Sequence, residues 1–271
     1  MTYLDNRLGP SNAFLQGLTN HFWSGEVVQR KVIVRSESVY PAMDDTGMDV
    51  PVFVCTVSFP SVPTFLHVFE PRYRVMINRA WAGGNGGRHF GMMLHENATV
   101  GTHLRIEVAD ISPDGRSLLE TKGVGRFRVK RKGVHEDGYL MAETEDFNDV
   151  SLYEEETREA EEVERERRDG EPNQDETSVA DLNKMKTKQL MSFARTSISL
   201  MAETNPRWLN SRILAIFGEC PDDPAAFPWW FASIFPISEE QKLGLLDTIT
   251  VRERMKICCR WIIGWRDHSE P

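Results

Sequence analysis

The apolar residues of this chain change period partway along it. Between Val50 and Val150 they come in short runs and alternations, and between Thr177 and Trp265 they recur at three and four. The first zone predicts strands at Val50–Val57 (VPVFVCTV), Phe65–Phe69, Phe90–Leu94, His103–Ile111, Ser117–Lys122, Arg126–Lys132 and Tyr139–Glu145. Pro60 and Pro63 turn the chain ahead of the second strand, and Pro113-Asp114-Gly115 supplies a hairpin turn. Pro71 suits the first position of a helix, where its missing N–H costs nothing. Tyr73, Met76, Ile77 and Ala80 then follow at helical spacing to about Trp81, before the glycines at Gly83–Gly87. In the sixth strand Arg126, Arg128, Lys130 and Lys132 alternate with Phe127 and Val129, so charges and apolar side chains take opposite faces.

The second zone predicts helices at Met185–Met201, Trp208–Phe217 and Ala225–Phe235, the last unusually aromatic. Ser238 can cap a fourth, with Glu239 and Glu240 in its first turn, and Thr250 a fifth (VRERMKICCRWIIGW). Ahead of the strands, Asn20–Val34 reads as a short helix running into an extended piece, and Ser36–Asp49 as a polar linker.

Charge separates one more zone. The net charge is -9, and Glu154–Glu176 holds twelve acidic and four basic residues, a balance of -8, so the rest is close to neutral. With almost no apolar stripe, this stretch reads as a mobile tether or loose helix. An acid excess confined to one segment gives no general affinity for nucleic acid or anionic membrane. No apolar run approaches the roughly 20 residues of a spanning helix. MTYLDNRLGP lacks the basic start and apolar stretch of a secretory signal. Cys55, Cys220, Cys258 and Cys259 are too few and scattered for a disulfide scaffold, which fits a reducing compartment, cytoplasmic or nuclear.

Motifs that carry chemistry are missing. The sequence holds no GxxxxGK[ST] loop, HExxH, CxxC or GxSxG, and its seven histidines are dispersed. No catalytic residue, metal site or cofactor is expected. The basic strand Lys122–Lys132 could serve as a nucleic-acid stripe, but the solvated face of an antiparallel strand explains it better. Phe227-Pro228-Trp229-Trp230-Phe231 with Phe235 could present an anchor site for partner segments, though rings of this size more often serve a core.

From Val50 the residues resemble the LON substrate-binding domain, the N-terminal domain of Lon-type ATP-dependent proteases. VPVFVCTVSFPSVPTFLHVFEPRYRVMI contains the family core as Leu66-His67-Val68-Phe69-Glu70-Pro71-Arg72-Tyr73. HFGMM at His89–Met93, VGTHLRI at Val100–Ile106, PDGRS at Pro113–Ser117 and GVGRFRV at Gly123–Val129 follow in order. Phe235-Pro236, Gln241, Leu245-Leu246 and Val251-Arg252-Glu253-Arg254 match the helical half. The wording is most similar to the branch that joins a LON domain to a RING finger, as are Asn12, Phe14-Leu15, Phe22-Trp23 and Arg30. A RING needs about eight Cys/His zinc ligands. Before residue 50 the chain offers only His21, so the expectation is a RING encoded upstream or lost.

The resemblance implies an α+β fold, a β-rich LON/PUA-like pseudo-barrel followed by a helical bundle. The divisions expected are 1–49 (N-terminal helix and linker), 50–150 (β-rich subdomain), 151–178 (acidic mobile insertion), 179–265 (helical subdomain) and 266–271 (tail). It implies a non-catalytic module that binds polypeptide clients through exposed apolar segments. That module would be the substrate arm of a RING-type ubiquitin ligase, contacting the ubiquitin-conjugating machinery through the RING. The competing reading is a free-standing LON-domain adaptor or small-molecule binder. Peptidase activity is not expected, because the family's Ser–Lys centre and Walker loop have no counterpart here. The candidate binding residues are Val62, Phe65, Trp229 and Trp230. Phe69, Glu70, Pro71, Arg72 and Tyr73 are expected to hold the fold.

Overall fold

A computed structural model describes residues 48–83, 88–169, 179, 181–204 and 206–269. The helix expected at Asn20–Val34 and the linker at Ser36–Asp49, apart from its last two residues, lie outside them.

Six strands form one sheet: β1 (Val50–Val54), β2 (Pro63–Val68), β3 (His89–Met93), β4 (Val100–Ile111), β5 (Ser117–Val134) and β6 (Leu140–Asp146). Their order is β2-β5-β4-β3-β1-β6, and a β5–β6 pairing closes five of them into a ring with β2 appended. β1 and β3 pair in parallel, and the other pairs are antiparallel. The two strands expected at Ser117–Lys122 and Arg126–Lys132 are one continuous strand. Its glycines read as breaks, yet Gly123 is needed for close approach: a Cβ there would fall 2.1 Å from the Phe59 carbonyl oxygen, where the loop before β2 crosses β5. Gly101 likewise makes room for the Phe127 ring, whose Cζ would lie 2.4 Å from an added Cβ. That ring is fully buried in a cluster with Val52, Met93, Ala98 and Ala142.

Helix α1 (Pro71–Ala82) starts on Pro71 as expected and buries Tyr73, Met76, Ile77 and Ala80 against Phe53, Phe90 and Leu104. Six further helices follow among the described residues: α2 (Leu152–Asp169), α3 (Thr187–Glu203), α4 (Ser211–Phe217), α5 (Phe227–Ile234), α6 (Glu239–Leu246) and α7 (Val251–Ser269). α5 is apolar all round and is correspondingly buried at the centre of the helical half. Ser238 caps α6, its hydroxyl accepting from the Gln241 N–H at 3.3 Å, and Thr250 accepts from the Glu253 N–H at 3.2 Å.

The acidic stretch, expected as a mobile tether or loose helix, is helical over Leu152–Asp169, where α2 lies against the start of α3 and α7. Its docking side carries carboxylates beside a single buried apolar residue, Val163. Glu155 accepts from the Val251 and Arg252 N–H groups, Glu159 from Thr187, and Glu162 from Arg252 and Lys256. Residues 170–178 of the same expectation lie outside the described set.

Sheet and helices meet at a charged seam. Arg126 on β5 and Arg254 on α7 are both buried, and both pair with Asp149, which follows β6. Arg126 Nη2 lies 2.6 Å and Arg254 Nη1 2.7 Å from Asp149 Oδ1. The second Arg126 nitrogen donates to the Leu246 and Thr248 carbonyls at the end of α6, satisfying groups that a helix C-terminus leaves open. Arg254 lies 4.5 Å over the Trp229 ring. At the other end of α6, Glu239 accepts from Thr56 Oγ1 at 2.7 Å and from the Val57 N–H at 2.9 Å.

Removing the carboxylate with Asp149→Ala takes from two buried guanidinium groups the one carboxylate that both contact. Breaking one side of a buried pair costs roughly 3–5 kcal/mol. The expected outcome is a destabilisation of about 3 kcal/mol or more by urea unfolding, with little change for Asp114→Ala at the exposed hairpin turn. Acid acts on the carboxylates of the same contacts. Burial raises the affinity of Glu239 and Glu162 for protons. Hydrogen bonds from Lys242, Val57 and Thr56 to Glu239, and from Lys256 and Arg252 to Glu162, outweigh it and leave both below the ordinary glutamate range. Groups depressed on folding contribute stability that is full above their unfolded pKa, about 4.3, and lost as pH falls through the folded values. Melting temperature should therefore hold from neutrality to about pH 5 and fall steeply below pH 4, with Glu162→Gln removing part of that fall.

Candidate functional site

β2 and the start of α1 come from one segment, FLHVFEPRY, whose alternation sends successive residues to opposite sides. Leu66 and Val68 are buried under α1. Phe65, His67 and the following Phe69 are exposed, Phe65 by 55% and Phe69 by 59%. The His67 and Phe69 rings lie 5.7 Å apart. Across the β2–β5 ladder His67 faces Leu118 and Phe65 faces Glu120. Leu118 is 58% exposed, so three large apolar side chains meet solvent on one face of two paired strands. Val108, opposite Glu120 on β4, extends the face at lower exposure. Among the described strands β2 pairs only with β5 and is an edge.

The family motif divides in two. Tyr73 is buried, stacks on Phe53 at 4.0 Å, and its hydroxyl accepts from the Val54 N–H at 3.2 Å. Glu70 precedes α1 and accepts from Arg72 Nε at 3.0 Å, so the carboxylate partner of Arg72 is its near neighbour. Glu70, Pro71, Arg72 and Tyr73 thus shape the strand-to-helix corner. Phe69 does not share that work, because its ring points to solvent; this corrects its expected scaffold role.

Of the four candidate binding residues, Val62, Trp229 and Trp230 come together in the core of the helical half, and all three are buried. Trp229 stacks on Phe59 at 5.4 Å, joining α5 to the loop before β2, and Trp230 donates from Nε1 to the Gly218 carbonyl at 2.9 Å. These tryptophans hold the seam and offer no surface, which corrects their expected contact role. Phe65 is the one of the four that a partner could touch. The sequence-based expectation missed Leu118. Its signal was the adjacent pair Leu118-Leu119 inside an alternating strand, of which one must face outward.

Other chemistry is accounted for by packing. On β5, Arg128 pairs with Asp247, Lys130 with Glu145 and Arg131 with Glu143, so much of the basic stripe is paired with neighbouring carboxylates. His135, Glu136 and Asp137 gather at the β5–β6 hairpin, but Arg79 of α1 already pairs with Asp137. The His135 ring lies parallel to Tyr139 at 4.5 Å. Burial pushes the Cys259 thiol up to about 12 and Cys258 well above its ordinary value, so neither is a nucleophile at neutral pH. No helix among the described residues is long and apolar enough to cross a membrane.

Known proteins place this geometry. The model of the ATP-dependent protease La (LON) substrate-binding domain matches residues 49–263. A Schizosaccharomyces pombe protein named LON peptidase N-terminal domain and RING finger protein C14F5.10c is 30% identical over a match covering 27% of this chain and 19% of that protein. The chain thus spans a minor part of that relative. The N-terminal domain of a Mycobacterium avium complex Lon protease shares the fold, with TM-score 0.52 at 16% identity over 79% of this chain and 97% of that one. A Lon N-terminal domain protein from Xanthomonas campestris is 25% identical over 78% of this chain and 97% of that one, with TM-score 0.47. With the family model spanning both the sheet and the helices, this chain belongs to the LON substrate-binding domain family.

Proposed function

We propose that the chain is a polypeptide-recognition module, and that the outer face of β2 and β5 captures extended apolar segments of client proteins. The observation that carries this reading is the solvent exposure of Phe65 on the edge strand β2, of Phe69 just after it, and of Leu118 on the neighbouring strand β5. Apolar side chains clustered on a surface carry a desolvation cost that a partner relieves. Aromatic anchors concentrate binding free energy, and an edge strand offers unpaired main-chain groups to an added strand. Alternation suits the same partner, since an extended segment shows every second side chain to Phe65, His67 and Phe69. Affinity at one such face is modest, because ordering the client costs conformational entropy.

The module acts as the substrate arm of a RING-type ubiquitin ligase. Support comes from the RING named in the yeast relative and from the ordered motifs shared with the RING-containing branch. The chemistry of ubiquitin transfer then belongs to the RING and its conjugating enzyme, and this chain selects the client.

The test uses a permanently unfolded client, reduced and carboxymethylated α-lactalbumin, titrated with the wild-type chain and with Phe65→Ser/Phe69→Ser. Loss of two exposed anchors should weaken binding at least about tenfold, roughly 1.4 kcal/mol. Melting temperature should change little, because both side chains are outside the core. Equal affinity for the two chains rejects this face. Ubiquitylation of the same client by the polypeptide in its native context, unchanged by the double substitution, rejects the ligase arm.

A further inference from the structure

Helix α2 is docked in an unusual way. Of its side chains facing α3 and α7, Val163 is the buried apolar one, and the stripe at Glu155, Glu159 and Glu162 is carboxylate at spacing i, i+4, i+7. Each carboxylate has its own receptor. Glu155 takes the Val251 and Arg252 N–H groups at 3.1 and 2.8 Å, the open first turn of α7. Glu159 takes the Thr187 N–H at 2.9 Å and the Thr187 hydroxyl at the start of α3. Glu162 takes Arg252 Nε at 3.0 Å and Lys256 Nζ at 2.6 Å. Arg252 and Lys256 are more than nine-tenths buried beneath it.

The receptor has supports of its own. Arg252 also donates to the Met185 and Asn183 carbonyls, Lys256 pairs with Glu253 at 2.8 Å, and the Thr250 hydroxyl caps α7 by accepting from the Glu253 N–H. The ligand has supports of its own as well. Arg158–Glu154 and Arg168–Glu164 pairs at i, i+4 favour helix along the solvent side of α2. α2 also packs on the 3-10 turn Asp181–Lys184, and it meets α7 and the start of α3 through ionic contacts and one small apolar side chain, as a ligand meets a receptor. A helix held with so little buried apolar area belongs to the low-stability end of a fold.

We propose that the cleft formed by the first turns of α7 and α3 with Arg252 and Lys256 is a docking site for an acidic helix of a partner polypeptide. α2 occupies that site within the chain and is displaced by the partner. The partner is specified by chemistry: a helix with carboxylates at i, i+4 and i+7 and a small β-branched residue at i+8. The site is separate from the β2 face and uses none of its residues.

The probe is a fluorescein-labelled peptide spanning Ser151–Asp169, titrated into the wild-type chain and into Glu155→Gln/Glu159→Gln/Glu162→Gln. In the triple variant α2 amides should exchange at least tenfold faster, while those of Met255–Ile263 keep their protection. The variant should bind the peptide at least tenfold more tightly than wild type, with affinity falling as salt rises. A peptide carrying the same three Gln substitutions should not bind. The proposal is overturned if the peptide binds neither chain, if α2 stays as protected as α7, or if the Gln peptide binds equally well. Concentration-dependent dimers of the wild-type chain, abolished by the triple substitution, would assign the cleft to a second copy and overturn the partner. Should the triple variant fail to fold, Glu159→Gln is read in the same titration, since Thr187 then meets a neutral acceptor in place of a carboxylate while Glu162 keeps both cations.

Discussion

Asp149 is the hinge on which the architecture turns. Two guanidinium groups, one from the sheet and one from the helices, leave water to meet a single carboxylate. A buried guanidinium group needs a counter-charge, so the seam assembles only with the anion in place. The rest of the helical half is oriented from this point. Arg126 closes the C-terminal end of α6, the opposite end of α6 presents Glu239 to Thr56 and Val57, and Arg254 rests on Trp229, which rests on Phe59. Trp229 of α5 serves the same constraint. A flat apolar ring under a cation gives it a favourable contact without competing for its donors.

Much of this was legible in the chain, because the signals were local. Pro71 followed by Tyr73, Met76, Ile77 and Ala80 marks α1, and Ser238 with Glu239 and Glu240 marks the start of α6. What escaped depended on partners far away in sequence. Gly123 reads as a break in a strand and is a place where Phe59 crosses it. The acidic stretch lacks an apolar stripe, so only the cations of α7, some ninety residues later, show that it docks. Trp229 and Trp230 could be core or contact on composition alone, and burial decides for core.

Phe69 shows the same limit at the scale of one motif. The segment from Phe65 to Tyr73 must pass from strand to helix, and Pro71 fixes where it does so. On the strand side the alternation continues through Phe69, which therefore turns outward with Phe65. On the helix side Tyr73 turns inward onto Phe53. A motif recognised as a unit thus contributes its later residues to the corner and its aromatic start to the surface, and only the period separates the two roles.

The first turns of α7 bring these themes together. Arg252 and Lys256 are four residues apart and share a helix face, directed at Glu162 of α2. Arg254, midway between them, is about 200° around the helix from each, given 3.6 residues per turn. It is directed at Asp149 and Trp229 instead. One short stretch, VRERMK, therefore addresses the sheet and the acidic helix from opposite sides, with separate carboxylates. The two ionic contacts share no residue. Loss of α2 from its cleft leaves the Asp149 seam with its full set of partners, whereas loss of the seam removes the orientation of the helix on which the cleft is built. That hierarchy is what allows the outer contact to be exchangeable while the fold stays intact.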